Sequence, residues 1–200
     1  MRERTMAKKF LLSFGIIVLV FTAYVASRPG KFKVERSAVV NASPSKIFPY
    51  LSSFKRGSEW SPYEKIDPNM KTSYSGPAAG VGATMQFSGN NKVGEGQLEI
   101  LKVIPNSLVE IRLAMVKPLS GINIIQYRLS PEGSSTRFSW SMVGDRNFLS
   151  KLVGIFIDCE KMVGDQFEQG IRNLKLIVEN HKDPKKSKRV MNARPRRLRR

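Results

Sequence analysis

The feature that most limits the fold of this chain is a change of hydrophobic period near residue 148. Between residues 70 and 142, apolar side chains recur at every second position, the period of a β-strand with one buried face. Proline, glycine and asparagine interrupt the pattern at residues 105–106, 118–121 and 131–134. The pattern predicts six antiparallel strands with one apolar and one solvated face.

Beyond residue 148 the period lengthens to that of a helix. Charged residues occupy most of the remaining positions, which predicts one long amphipathic helix over about Phe148–Asn180. The apolar face of the sheet is the only partner large enough to bury its apolar stripe, so we expect the helix to lie across the sheet. The stripe comprises Leu152, Phe156, Cys159, Val163, Phe167, Ile171, Leu174 and Val178.

A further strand and a short helix precede the sheet region. Residues 34–41 are rich in β-branched residues and end at Ser43-Pro44, an N-cap residue followed by a proline suited to the first helical turn. Pro49 should leave this helix short or bent. The next stretch, EWSPYEKIDPNM at residues 59–70, contains two prolines and is predicted to be a turn-rich link.

The N-terminus carries a candidate membrane segment. Residues 10–26 are uncharged and flanked by basic residues, and at about 1.5 Å per residue they span roughly 26 Å, the short end of what crosses a bilayer. We interpret residues 1–9 as a basic leader and residues 10–27 as an uncleaved transmembrane anchor, with a cleavable signal peptide as the alternative. Four basic residues lie on each side, so the short leader alone favours export of the domain.

The net charge of +18 is concentrated at the two ends of the chain. Residues 1–36 contribute +6, residues 37–181 contribute +3, and residues 182–200 contribute +9. The predicted domain, residues 33–181, is therefore nearly neutral, which disfavours nucleic acid as its partner. The tail at 182–200 has no hydrophobic period and is predicted to be disordered. With an anchor at the other end of the chain we expect it to bind anionic lipid, and the alternatives are a merely solvated extension, a localisation signal or nucleic-acid binding.

Cysteine and histidine are too scarce for several kinds of site. Cys159 is the only cysteine and His181 the only histidine, so an intramolecular disulfide, a cysteine-based zinc site and a Ser-His or Cys-His catalytic pair inside the domain are excluded. We predict no metal site, no cofactor and no catalytic residue.

The stretch at 59–70 nevertheless contains groups that could be catalytic. Glu64 and Asp67 could form an acid/base pair, but in a proline-flanked loop we expect them to cap, solvate or form ion pairs. Trp60 and Tyr63 are expected to anchor the loop to the core, with a position at a ligand entrance as the alternative.

The inward-facing residues are candidates to line an apolar cavity. They are rich in methionine and aromatic residues, which suits an adaptable pocket, although a packed core is the alternative. The two glycines of the set either permit sheet curvature or leave ligand space. Tyr127 and Trp140 could offer polar groups to a ligand headgroup. The set is Trp60, Tyr74, Met85, Phe87, Gly94, Gly96, Leu113, Met115, Tyr127, Phe138, Trp140, Met142, Phe156 and Phe167.

Six ordered blocks give the chain a resemblance to a known superfamily. They are VERSAVVNASPSKIF at 34–48, WSPYEKIDPNM at 60–70, the turn residues at 74–77 and 80–82, GNNKVGEGQLEI at 89–100, TRFSWSM at 136–142 and FEQGIRNLK at 167–175. With this pattern the chain resembles the START-like, or SRPBCC, superfamily, in its polyketide cyclase/dehydrase-like branch. The resemblance implies an α+β helix-grip fold, in which a curved antiparallel β-sheet wraps around a long C-terminal helix, here with an N-terminal transmembrane helix added.

The resemblance also implies an elongated apolar cavity, which holds lipids, sterols, hormones or polyketides in members of the superfamily. It does not imply one reaction, because fold alone does not settle function. We therefore expect a membrane-tethered domain that binds a lipid or another small hydrophobic ligand without catalysis. The alternatives are an enzyme of the polyketide cyclase/dehydrase type acting on a hydrophobic substrate, and a protein-interaction module.

Overall fold

The predicted strands form one seven-stranded antiparallel sheet. The computed structural model describes residues 2–180, so His181 and the tail predicted at 182–200 lie outside the described residues. The elements are α1 (Arg2–Ser27), β1 (Lys31–Val40), α2 (Pro44–Leu51), α3 (Phe54–Gly57), α4 (Tyr63–Ile66), β2 (Lys71–Ser75), β3 (Thr84–Ser88), β4 (Glu95–Ile104), β5 (Leu108–Lys117), β6 (Gly121–Glu132), β7 (Ser135–Asp145), α5 (Phe148–Phe156) and α6 (Cys159–Asn180).

The strand order explains how a local sequence pattern produces a large curved surface. Strands β2 to β6 each pair with the next strand along the chain, and β1 pairs with β7, which gives the order β1-β7-β6-β5-β4-β3-β2. Register shifts interrupt the β4–β5 pairing between Glu95 and Gly96 and between Ile100 and Lys102. Such irregularities bend a strand and increase its twist.

Cross-strand register arranges the inward-facing residues in rows, and two of these rows lie at one end of the sheet. We call this the proximal end, because β1 begins there at Lys31, directly after α1. The first proximal row contains Thr72, Phe87, Gly96, Met115 and Gly121, and the second contains Tyr74, Met85, Leu98, Leu113 and Asn123. The rows beyond them, which we call distal, begin with Ile100, Ile111, Ile125 and Met142.

The C-terminal helix is two helices rather than the single one predicted over Phe148–Asn180. Helix α5 ends at Phe156, and Ile157 has an extended backbone with φ −125° and ψ 122°. Asp158 then accepts a hydrogen bond from the backbone N–H of Lys161 at 2.8 Å, as an N-terminal capping residue does. The amphipathic period continues across this break, so periodicity alone could not locate it.

Helix α6 crosses the sheet at its β1 edge. The side chain of Arg36 passes against Gly164 and pairs with Glu168 at 2.8 Å. Further along the helix, Lys175 donates to the carbonyl oxygen of Val39 at 2.8 Å. The interior stripe of α6, with Phe167, Ile171, Leu174 and Val178 all buried, faces the distal rows. The predicted placement of the helix over the sheet is therefore confirmed for α6.

Helix α1 stands apart from this core. Most of its apolar side chains are exposed, and Val25, near its end, is fully buried. Among residues 2–180, one helical segment, Lys9–Ser27, is long and apolar enough to cross a membrane.

Candidate functional site

A cluster of aromatic rings fills the space between α6 and the distal rows. The rings of Trp140 and Phe167 are stacked with centroids 4.1 Å apart. Trp60 meets the edge of Trp140 at 5.2 Å, and Tyr127 meets it at 5.3 Å. Phe138 lies beside them and is fully buried. This part of the predicted cavity is a packed core, so Trp60, Phe138, Trp140, Met142 and Phe167 form the floor of any site rather than an open channel.

The stretch at 59–70 is held in place by backbone hydrogen bonds. The indole N–H of Trp60 donates to the carbonyl oxygen of Tyr50 at 3.0 Å, and Asn173 of α6 donates to the carbonyl oxygen of Trp60 at 3.0 Å. Asp67 accepts from the backbone N–H groups of Asn69 at 3.0 Å and Asn90 at 2.6 Å. The expected anchoring role of Trp60 and capping role of Asp67 are both confirmed.

One polar atom inside this cluster has no partner. The indole nitrogen of Trp140 is buried and makes no hydrogen bond within the described structure. Buried donors are normally paired, and leaving one unpaired is unfavourable by about 1–3 kcal/mol. An indole N–H can only donate, so the group that would satisfy it is a hydrogen-bond acceptor.

Two tyrosines add further donors near the floor. Burial raises the pKa of Tyr63 to about 12, because the charged phenolate is poorly solvated there. Burial also raises the pKa of Tyr127, and the neighbouring Tyr63 raises it further. Both hydroxyls therefore stay protonated at neutral pH and can donate a hydrogen bond to a ligand, but neither can act as a base. Burial raises the pKa of Glu64 as well.

The two proximal rows are less completely covered than the distal rows. Ile100, Ile111 and Ile125, at the start of the distal rows, are 0%, 1% and 6% exposed. One row closer to α1, the apolar side chains are only half-buried, and Tyr74 is 37% exposed. We call this incompletely covered part of the inner face the proximal hollow. Its walls are Tyr74, Met85, Phe87, Leu98, Leu113 and Met115, of which Leu98 was not among the predicted site residues.

Three predicted lining residues do not contribute open space. A side chain on Gly94, which has φ +82° and precedes β4, would collide with the carbonyl oxygen of Lys117. At Gly96 a Cβ atom would lie 2.6 Å from the carbonyl oxygen of Ala114 and 3.0 Å from the Phe87 ring. Both glycines permit close approach of neighbouring strands, which agrees with the first of the two interpretations above, sheet curvature, and not with space for a ligand. Phe156, on α5, is 77% exposed and lies outside the helix–sheet interface.

Two other concave regions lie outside the interface between α6 and the sheet. A groove of about 500 Å³ crosses β2 to β5 and is lined largely by outward-facing side chains such as Ser73, Gln86 and Gln97. A second, of about 410 Å³, lies between the start of β1 and Asp158–Lys161. Both are open to solvent and are lined mostly by polar or charged side chains.

Comparison with known proteins places this geometry in a wider group. Residues 31–179 match the model of a family described as "Polyketide cyclase / dehydrase and lipid transport". A search of curated proteins by sequence found no match.

Solved structures share the arrangement at low sequence identity. Protein MLL2253 from Mesorhizobium loti is 16% identical with a TM-score of 0.56, over 76% of this chain and 99% of that one. The Aha1 dimer from Colwellia psychrerythraea is 21% identical with a TM-score of 0.54, over 76% and 98%. Ara h 8.0201 is 10% identical with a TM-score of 0.54, over 76% and 100%. At these identities the likeness establishes a shared fold alone.

Proposed function

The chain belongs to the polyketide cyclase/dehydrase and lipid transport family, and from this premise we propose that it is a membrane-tethered domain that binds a lipid or another small hydrophobic ligand in the proximal hollow. The observation that carries the proposal is the change in burial between Ile100 and Leu98, neighbours on the inner face of β4. An inward apolar wall that the protein itself leaves half covered is suited to being covered by an apolar ligand.

The polar groups at the floor define the ligand further. The walls carry no charge, so they select by shape and apolar area. The unpaired indole N–H of Trp140 and the protonated hydroxyls of Tyr63 and Tyr127 are donors. A hydrophobic ligand that reached these donors from the proximal hollow would carry one acceptor group, a carbonyl, hydroxyl or carboxyl oxygen, at the end that enters first.

The tether is the segment Lys9–Ser27 of α1, retained as a single-pass anchor with the domain on the exported side. Three residues separate the end of α1 from β1, which keeps the proximal end of the sheet close to the membrane surface. The basic tail at 182–200 would add attraction to anionic lipid.

The buried, protonated tyrosine hydroxyls favour a second candidate, an enzyme of the cyclase type in which Tyr63 or Tyr127 polarises a substrate oxygen by donating a hydrogen bond to it. Such an enzyme also needs a base. Within the described strands, no inner-face position carries a carboxylate or a histidine. Of the two carboxylates named above, that of Asp67 is occupied by backbone N–H groups, and Glu64 lies on α4, outside the sheet. Binding without catalysis therefore fits the geometry better.

Filling the hollow tests the proposal. In Leu98→Trp, the larger side chain occupies the half-covered space of the second proximal row, whereas in Leu176→Trp the same change is made at a 62% exposed position of α6. A fluorescent fatty acid titrated into the detergent-solubilised full chain should bind to the wild type and to Leu176→Trp, and at least tenfold more weakly to Leu98→Trp. Equal affinity of all three proteins would refute binding in the hollow.

A further inference from the structure

Helix α5 carries apolar side chains that the protein does not cover. None of its residues is fully buried, although most of them are apolar. The exposed fractions are 49% for Phe148, 51% for Leu149 and 77% for Phe156, followed by 50% for Ile157 just after the helix. Contiguous exposed apolar surface of this kind marks an interaction site for a protein or a membrane.

The position of α5 next to α1 favours a membrane over a protein as the partner of this apolar surface. The Lys151 ammonium group donates to the carbonyl oxygen of Ala26 at 3.0 Å, and α5 packs against the end of α1, where Val25 is fully buried. Just before this contact, Tyr24 is 50% exposed and lies under the guanidinium group of Arg28 at 5.9 Å. Tyrosine and arginine together at the end of an apolar helix are typical of the membrane–water interface.

From these contacts we infer that α5 is an interfacial helix, which lies in the headgroup region of the bilayer that α1 spans and inserts Phe148, Leu149, Phe156 and Ile157 among the acyl chains. The inference rests on the proposed membrane tether. An amphipathic helix binds at this depth through its apolar side chains, while a basic residue such as Lys151 reaches the headgroups. The break at Ile157 lets α5 take this orientation independently of α6.

The sheet supports the same placement. Two outward-facing side chains at the proximal end are strongly exposed and apolar, Val116 at 56% and Ile122 at 61%. Val116 lies at the end of β5 and Ile122 at the start of β6, at the same end of the sheet as the α1–β1 connection. With α5 in the interface, the proximal hollow opens onto the leaflet, so a hydrophobic ligand passes between bilayer and hollow without crossing water.

Site-directed fluorescence on the full chain tests the inference. Single cysteines are introduced at Phe156, Leu176 and Leu19 in a Cys159→Ser background, labelled with an environment-sensitive dye, and reconstituted into vesicles of phosphatidylcholine and phosphatidylglycerol. Leu176 is the matched control, because it is apolar and 62% exposed but lies on α6, beside Lys175, which contacts Val39 near the distal end of β1. Leu19 reports on the anchor itself.

We expect labels at Phe156 and Leu19 to be blue-shifted and strongly quenched by a lipid-bound quencher, and the label at Leu176 to behave as in water. A water-like signal at Phe156 with a lipid signal at Leu19 would overturn the interfacial helix and leave the tether standing. A water-like signal at Leu19 would overturn both. A Phe156 label shielded from water but not reached by the lipid quencher would show that a second protein copy covers α5, which also contradicts the inference.

Discussion

The two ends of the inner sheet face differ in what covers them, although the same alternating sequence pattern builds both. At the distal rows, α6 and the loop around Trp60 close the surface with stacked and edge-on aromatic rings. At the proximal rows, apolar side chains such as Leu98 and Leu113 remain half-buried. The distal rows form the packed core of the domain, and the proximal rows are the surface that we propose a ligand covers.

The largest difference between the two regions is expected from the same truncation made in each of them. Leu174→Ala removes a fully buried side chain of α6 and should lower the free energy of unfolding by about 3–4 kcal/mol, because it leaves a cavity in packed surroundings. Leu98→Ala removes a side chain that is only partly buried and should cost about 1–2 kcal/mol. Urea unfolding of both variants measures the difference, and equal losses would contradict the division into packed and open regions.

A second pair of substitutions, one in α6 and one in α5, tests how closely each helix packs against the rest of the domain. Gly170 of α6 faces Trp140, and an added Cβ would lie 2.6 Å from the indole ring, so Gly170→Ala should destabilise the domain by about 1–3 kcal/mol. Gly154 of α5 has no atom within 4 Å of an added Cβ. Gly154→Ala should therefore be neutral or stabilise by up to about 1 kcal/mol through helix propensity. Thermal unfolding distinguishes the two, and a destabilising Gly154→Ala would place α5 in a packed environment instead.

The unpaired indole N–H offers a test of ligand contact. Replacing Trp140 by benzothienylalanine keeps the ring shape but removes the donor, so stability should be unchanged or higher while ligand affinity falls about tenfold. The same replacement at Trp60 removes the hydrogen bond to Tyr50 and should lower stability by about 1–3 kcal/mol without changing affinity. If both variants lose stability and keep affinity, the Trp140 donor does not face the ligand.

Alkaline pH should destabilise the domain, because the buried tyrosines ionise more easily in the unfolded state. The pKa of Tyr63 is raised to about 12 in the folded state, whereas an unfolded tyrosine has a pKa of about 10. The contribution of Tyr63 to the free energy of unfolding is therefore fully present below pH about 10 and is lost as the pH rises toward 12. The loss is at most about 1.4 kcal/mol per pH unit for this residue. Unfolding free energies at neutral pH and between pH about 10 and about 12 should show a shallower decline in Tyr63→Phe than in the wild type. An unchanged slope would mean that the Tyr63 hydroxyl is solvated.

Much of the fold follows from the sequence because hydrophobic period is a local property. The alternation that ends at Met142 predicts the strands, and the superfamily identified from the sequence blocks is confirmed by the family match over residues 31–179. The break at Ile157 was not predicted, because the amphipathic period runs through it. Likewise β6 extends through Pro131 to Glu132, where a turn was expected, since Pro131 pairs with Thr136 near the hairpin end.

The candidate site was predictable only in part. Strand alternation identifies which residues face inward, and this placed Met85, Leu113 and Met115 correctly on the inner face. Strand alternation does not predict which inward residues another element covers, because that depends on where α6 and the Trp60 loop pack against the sheet. Phe156 shows the limit most clearly. It has the helical spacing of a core residue, yet the helix ends directly after it and the side chain is 77% exposed.

Native mass spectrometry of the full chain extracted from membranes tests whether the proximal hollow holds a hydrophobic ligand. The wild-type protein should carry one apolar adduct that dissociates on activation, and the double variant Leu98→Trp/Leu113→Trp should appear at the mass of the bare polypeptide. Bare polypeptide in both proteins, or the same adduct retained by the filled variant, would contradict the account.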